Sequence, residues 1–263
     1  MILEHGDVGA KVENLQKLLT AHGHDLDPDG WFGDETEKAV IRFQRKNGLF
    51  VDGVAGPATF QALSHHLDLK ALTEVDIKNS ATRLNVDIAA IKAVTEVESR
   101  ESGFLESGLP VILFERHVMY RQLPADTRSI QAASFPALVN SKPGGYVGGE
   151  SEWRRLKRAC SIDREAAIQS ASWGLFQIMG FHWAHLGYAS VSDFSEAMHR
   201  SEGDQLAAFV KFIQKDHRLH QALQQKDWAT FARYYNGPAY RRNQYDTRMA
   251  AAYQRHNEME RIV

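Results

Sequence analysis

Asp29-Gly-Trp-Phe-Gly-Asp-Glu-Thr36 returns further along the chain as Asp52-Gly-Val-Ala-Gly-Pro-Ala-Thr59. Each copy is a turn that opens a helix: Asp-Gly is a turn pair, and the residue after Gly33 or Gly56 is Asp or Pro, types that start helices. The echo reaches upstream, where Val12-x-x-Leu-Gln16 matches Val40-x-x-Phe-Gln44, so the repeated unit includes the preceding helix. Helices are expected over about 9–22, 34–47 and 57–66. Val12, Leu15, Leu18 and Leu19, then Ala39, Val40 and Phe43, then Phe60 and Leu63 recur at three-to-four spacing, enough for three short helices to close one small core.

Working outward, charge separates this segment from the rest. Residues 1–66 hold six Lys/Arg against ten Asp/Glu, and the remaining residues hold 25 against 23, which together give the net −2 of the chain. The boundary is placed at 66/67. A chain of 263 residues is long enough for a small and a large domain. Its 43% hydrophobic and 24% charged residues are those of a globular protein, and its balanced charge excludes a chain-wide nucleic-acid footprint. One cysteine, Cys160, excludes a disulfide framework. The N-terminal residues lack the basic and apolar regions of an export signal, and no window is apolar enough to span a membrane, so neither an export route nor a stable membrane association is expected.

Beyond residue 67 the pattern stays helical, with helices expected over 73–84, 87–99, 151–160, 163–171, 193–199, 202–216, 219–224, 227–235 and 244–259. Residues 105–150 break it with short apolar stretches and the Gly-rich Pro143–Gly149, read as a small strand or loop insertion. Helix 87–99 carries Ile88, Ile91, Val94 and Thr95 on one stripe, and continuing that stripe lands on Glu98. A carboxyl there has its proton held on by desolvation, as a general acid requires. Glu101, one turn on, is the reserve candidate. Glu96 falls on the opposite face beside Lys92 and reads as a solvated ion-pair partner. Two further segments mix aromatics with small and amide residues: Ser172-Trp-Gly-Leu-Phe-Gln-Ile-Met-Gly180 and Tyr234-Tyr-Asn-Gly-Pro-Ala-Tyr240. In the first, Gly174 permits close approach and Gln177 can both donate and accept. The pairs His182/His185 and His217/His220 lack supporting ligands, so no metal and no cofactor are expected. Trp153-Arg-Arg-Leu-Lys-Arg158 reads as a solvated helix face, with contact to an anionic polymer as the alternative. Glu115, flanked by Arg116 and His117, is either a second carboxylate for catalysis or a structural ion pair.

The doubled D-G-x-x-G-x-x-T motif resembles the small three-helix peptidoglycan-binding domain that accompanies many cell-wall enzymes, over about a quarter of the chain. This implies a wall-binding role for Asp29, Trp31, Phe32 and Asp52. Val97-Glu-Ser99, the Ser172–Gly180 segment and Tyr235-Asn-Gly237, in that order, look like the motifs of the lysozyme-like superfamily, which includes lytic transglycosylases and goose-type lysozymes. The stretch 88–245 resembles more closely the N-acetylmuramidase family of phage endolysins, through Pro110–His117, Gly144-Gly-Tyr146, Ser172–Gly180 and Tyr235–Tyr240. The resemblance implies a mainly α chain: a three-helix peptidoglycan-binding domain over 1–66 and a larger lysozyme-like domain over 67–263 with a small β/loop insertion. It makes Glu98 the catalytic acid, with Ser99, Ser172, Gly174, Gln177, Ile178, Tyr235 and Asn236 lining a sugar cleft. Glu98-Ser-Arg-Glu-Ser102 contains two Glu-Ser pairs, so Glu101 stays open as the acid, although helical phase favours Glu98.

The function implied is cleavage of the β-1,4 bond between N-acetylmuramic acid and N-acetylglucosamine by one glutamate. The alternatives are a lytic transglycosylase that leaves 1,6-anhydro ends, a zinc peptidase, and a non-catalytic wall-binding virion protein. The expected setting is a monomeric phage endolysin, made without a signal peptide in the host cytoplasm and released by a holin. It would act on the periplasmic peptidoglycan of a Gram-negative host, with no nucleic-acid partner.

Overall fold

In a computed structural model describing residues 2–64, 70–99 and 102–261, the repeat forms α1 (Ala10–Ala21), α2 (Asp34–Lys46) and α3 (Pro57–Leu63). Val12, Leu15, Leu19, Phe32, Ala39, Val40, Phe43 and Leu63 close its core. The repeat has a shared lock. Gln16 is buried, and its Nε2 donates to Asp29 Oδ1 (2.8 Å), the Trp31 carbonyl (3.0 Å) and Thr36 Oγ1 (3.0 Å), while its Oε1 accepts from Gly30 N (2.9 Å). Gln44 does the same to the second copy, donating to Asp52 Oδ1 (2.7 Å), the Val54 carbonyl (2.9 Å) and Thr59 Oγ1 (3.2 Å) and accepting from Gly53 N (3.0 Å). The motif recurs because one buried amide on the preceding helix must satisfy the polar atoms of the turn that follows.

The described residues divide into two compact units, Met1–Val94 with Ala250–Val263, and Thr95–Met249. The boundary expected at 66/67 falls outside the described residues. The first unit continues through α4 (Glu74–Leu84), which a Thr73/Asp76 capping box starts and left-handed Asn85 (φ 51°) ends, into α5 (Ile88–Glu98). Lys92 is not on a polar face. It is 2% exposed, and its ammonium meets Glu74 (3.1 Å) and, from the C-terminal helix of the chain, Glu260 (2.8 Å). The sequence pattern of α5 cannot show this, because Glu260 lies far away in the chain and covers that face.

The second unit is helical around a three-stranded antiparallel sheet of order β1 (Ile112–Phe114), β2 (Ala171–Trp173) and β3 (Ile178–Met179). Leu113 pairs with Ser172, and Ser172 with Met179. The insertion supplies one strand, as well as two short helices absent from the sequence reading, α6 (Arg116–Gln122) and α7 (Arg128–Ser134). There follow α8 (Glu150–Cys160), α9 (Arg164–Gln169), α10 (Val191–Arg200), α11 (Glu202–Lys215), α12 (His217–Gln225) and α13 (Trp228–Tyr235), and the described residues end in α14 (Tyr245–Arg261), which from Ala250 onward belongs to the first unit.

The Gly-rich run is held down by polar side chains. Arg116 donates to the Lys142 and Pro143 carbonyls (3.0 and 2.9 Å), and fully buried Glu152 accepts from Val147 N (2.7 Å) and Gly148 N (3.2 Å). Among the described residues no helix is long and apolar enough to cross a membrane.

Candidate active site

Two chain segments meet at Glu98, and a third is joined to them through Tyr235. The first is the C-terminal end of α5, where Ala90, Ile91, Ala93, Val94 and Val97 are buried and Glu98 is the last helical residue, half-buried. The second is the end of α13, which Asp227 caps at its start and Asn236 terminates before Gly237 turns the chain at φ 82°. The Asn236 amide donates to both Glu98 oxygens, at 3.2 and 3.1 Å. The third is the β2–β3 turn, which the Tyr235 hydroxyl reaches by donating to the Phe176 carbonyl (3.1 Å). Phe176 stacks flat on Phe209 at 4.3 Å, and Phe209 meets the Tyr235 ring edge-on at 5.2 Å. Burial first, and then the charge of Glu98, hold the Tyr235 phenol well above its ordinary pKa, so it remains a donor.

The turn is tightly determined. Gly174 (φ 68°) opens it, and a Cβ there would lie 2.4–2.7 Å from the buried Gln205 side chain. Gln177 closes it with φ 49°, a costly conformation for a side chain with a Cβ. What holds it is a bond from Ser172 Oγ to Gln177 Oε1 (2.7 Å) and one from Gln177 Nε2 to the Gly174 carbonyl (2.8 Å). Gln177 is exposed, so its amide stands preset at the surface.

The other expected residues divide. Ser99 turns its hydroxyl back to the Thr95 carbonyl, a helix-end bond. Ile178 is buried opposite Trp173 in the sheet and offers backbone only. Glu101 lies outside the described residues. Glu115 is engaged by Tyr146, whose hydroxyl donates at 2.8 and 3.1 Å, and by His117 at 3.0 Å. In the first unit Asp29 and Asp52 are occupied by their own turns. The Trp31 backbone N–H, and then Gln16, hold the Asp29 carboxyl below its ordinary range. Phe32 is 0% exposed, a core residue that cannot face a polymer. Trp31 is 56% exposed and lies over Gly33, where a Cβ would sit 3.2 Å from the ring.

Sequence reasoning missed the support behind the turn. Gln205 accepts from Leu175 N (2.7 Å) and donates to the Met198 carbonyl (2.9 Å), and Glu202 accepts from Gly103 N (2.7 Å) and Ser102 Oγ (2.8 Å). Both are buried on the stripe of α11 that carries Leu206 and Phe209, so polar residues in an apolar stripe were the available signal. Among the described residues no group of three His, Cys, Asp or Glu is placed to hold a metal ion.

Two family models match separate stretches of the chain. Residues 8–63 match the model of a putative peptidoglycan binding domain. This segment is 46% identical over 66 residues to the N-acetylmuramoyl-L-alanine amidase CwlL of Bacillus licheniformis, covering 24% of this chain and 18% of that one. It is 44% identical over 64 residues to the zinc D-Ala-D-Ala carboxypeptidase of Streptomyces albus G, covering 23% of this chain and 25% of that one. The chain thus spans a quarter or less of these curated relatives. The crystal structure of the Burkholderia AP3 phage endolysin is similar over 98% of this chain and 99% of that one, at 48% identity and a TM-score of 0.92. Residues 87–257 match the N-acetylmuramidase model, and with more than half of its length so matched the chain belongs to the N-acetylmuramidase family.

Proposed function

We propose that this glycoside hydrolase of peptidoglycan cleaves the bond between N-acetylmuramic acid and N-acetylglucosamine, with Glu98 as the general acid. The observation that carries the reading is the convergence of Asn236 on both Glu98 oxygens, with the preceding residue, Tyr235, bonded to the turn that fixes Ser172, Gly174 and Gln177. As oriented, the Asn236 Nδ2 serves the ionised carboxylate. Its Oδ1 is buried without a hydrogen-bond partner among the described residues. A half-turn of the amide would let that oxygen accept the Glu98 proton instead, so one residue can serve both protonation states. Glu98 would give its proton to the leaving sugar oxygen, while Gln177 and Tyr235 position the saccharide. Residues 1–66 would hold the wall polymer, raising the substrate concentration seen by residues 67–263, and Trp31 is the face of that module fitted to contact it. The likeness to a phage endolysin supports action on a bacterial cell wall, and the setting proposed is the periplasmic wall of a Gram-negative host, reached by a monomer that a holin releases.

The test is Glu98→Gln on purified peptidoglycan, with Glu101→Gln in parallel. Glycan cleavage should fall by about 10²–10⁴-fold in the first while wall binding persists, and the muropeptides released by the wild type should end in hydrolysed muramic acid. Full cleavage by Glu98→Gln would overturn the assignment, and 1,6-anhydro ends would make the reaction a transglycosylation.

A further inference from the structure

The second unit holds a cavity of about 650 Å³ between α8 and α9, within the size range of small-molecule sites. Glu98, Ser172, Gln177, Tyr235 and Asn236 take no part in its wall. Its interior is hydrocarbon: Leu109, Leu156 and Ile168, with the rings of Trp153 and Trp173 packed edge to face at 5.7 Å. Both indole N–H groups of that wall and one ring nitrogen of His199 are already used, which leaves the Ser107 and Ser195 hydroxyls and His199 Nε2 as the other polar groups of the lining. The Trp153 indole N–H donates to the Pro110 carbonyl (2.8 Å), that of Trp173 to the Ile168 carbonyl (3.2 Å), and His199 Nδ1 bonds the Ser195 carbonyl (2.8 Å). Sugar or peptide seated against Leu109, Leu156, Ile168 and the two indoles would bury more polar groups than those few could pair.

The rim is cationic. Arg154 and Lys157 on α8 and Arg164 at the start of α9 are exposed at its edge, with Glu150 the carboxylate beside them. The ion pairs of this unit among the described residues are Glu115–His117, Glu152–Arg155, Arg200–Asp204 and Asp216–Arg218, and they leave these three cations out. A largely apolar, aromatic interior under three cations that stand outside those ion pairs matches a molecule with an apolar tail and an anionic head. We propose that this cavity is a second binding site, apart from the glycan site, for a single fatty-acyl chain with a carboxylate or phosphate head. The tail lies against Leu109, Trp153, Leu156 and Trp173, and the head meets Arg154, Lys157 and Arg164. The basic run 153–158 is then half of a lipid site.

Cys160 lines the cavity and is the chain's single cysteine, so its alkylation reports occupancy. Burial pushes its thiol up, so iodoacetamide labelling of the full chain is run at mildly alkaline pH. Sodium laurate and dodecyl phosphate, each below its micellar concentration, should slow labelling at least about fivefold and titrate saturably by calorimetry. Dodecyl maltoside, which lacks the charge, and acetate or inorganic phosphate, which lack the tail, should leave the rate unchanged. The double variant Arg154→Glu with Lys157→Glu should raise the half-saturating concentration about tenfold, equivalent to about 1.4 kcal/mol, with thermal unfolding and peptidoglycan cleavage unaltered. The proposal fails if neither anionic amphiphile protects Cys160, if dodecyl maltoside protects it equally, or if the charge reversal leaves both titrations unchanged.

Discussion

Glu152→Gln tests what fastens the Gly-rich segment to the catalytic unit. Glu152 Oε2 accepts from Phe114 N (3.1 Å) and Arg155 Nη1 (2.6 Å), and Oε1 from Val147 N and Gly148 N. Every group facing the carboxylate is a donor. Glutamine keeps the shape but places an NH₂ against one of those pairs, so two hydrogen bonds are lost whichever way it turns, and Arg155 loses its counter-charge. Bonds to a charged acceptor contribute about 1.5–3 kcal/mol each, and unpairing a buried ion about 3–5 kcal/mol. The two counts describe overlapping losses. Arg155 also keeps its bonds to the Phe114 and Ala137 carbonyls, so about 3–4 kcal/mol is expected.

The pH dependence of that loss follows from the same contacts. Burial raises the Glu152 pKa, but the three backbone donors and Arg155 outweigh it and leave the folded value below the ordinary one. The stabilisation is therefore complete above the unfolded carboxylate pKa of about 4.3 and is lost as pH falls through the folded value. Urea unfolding of wild type and variant should show a constant gap above about pH 5 that closes on acidification. A gap under about 1 kcal/mol at neutral pH, or one that widens in acid, would refute the reasoning.

Other substitutions separate structure from contact. Gln44→Ala strands the buried polar atoms of the second turn, and chemical unfolding should show the first unit weakened by about 2–4 kcal/mol; a change within 0.5 kcal/mol would mean that water replaces the amide. Gly174→Ala sets a Cβ against Gln205 at a positive φ, and should cost about 2 kcal/mol or more together with most of the glycan-cleaving activity, measured on purified walls. Trp31→Ala should leave stability within about 0.5 kcal/mol and lower retention on sedimented peptidoglycan severalfold; unchanged retention would remove Trp31 from the binding face.

The doubled turn and the phase of α5 were legible in the sequence because both are local. A turn needs its Gly and Asp at fixed offsets, and a helix shows its buried face at fixed spacing, so the three N-terminal helices and the position of Glu98 could be read directly. Phe32 shows the limit of that reading. It sits within the motif beside Trp31, yet one ring is core and the other is surface, which depends on what α1–α3 enclose. Lys92 shows it again, looking solvated by helical phase but buried by Glu74 and Glu260.

The sequence by itself determined the helical class, the repeat, the helical phase that puts Glu98 on the apolar stripe of α5, and the order of the three motifs, since each is encoded within a few residues. Only the tertiary structure decided that Asn236 grips both oxygens of Glu98, that Gln205 stands behind Gly174, and that Glu152 ties the Gly-rich run to β1. Each of those pairs is a buried polar contact whose partners are chosen by packing, and desolvation forces them to find one another at whatever distance in sequence they occur.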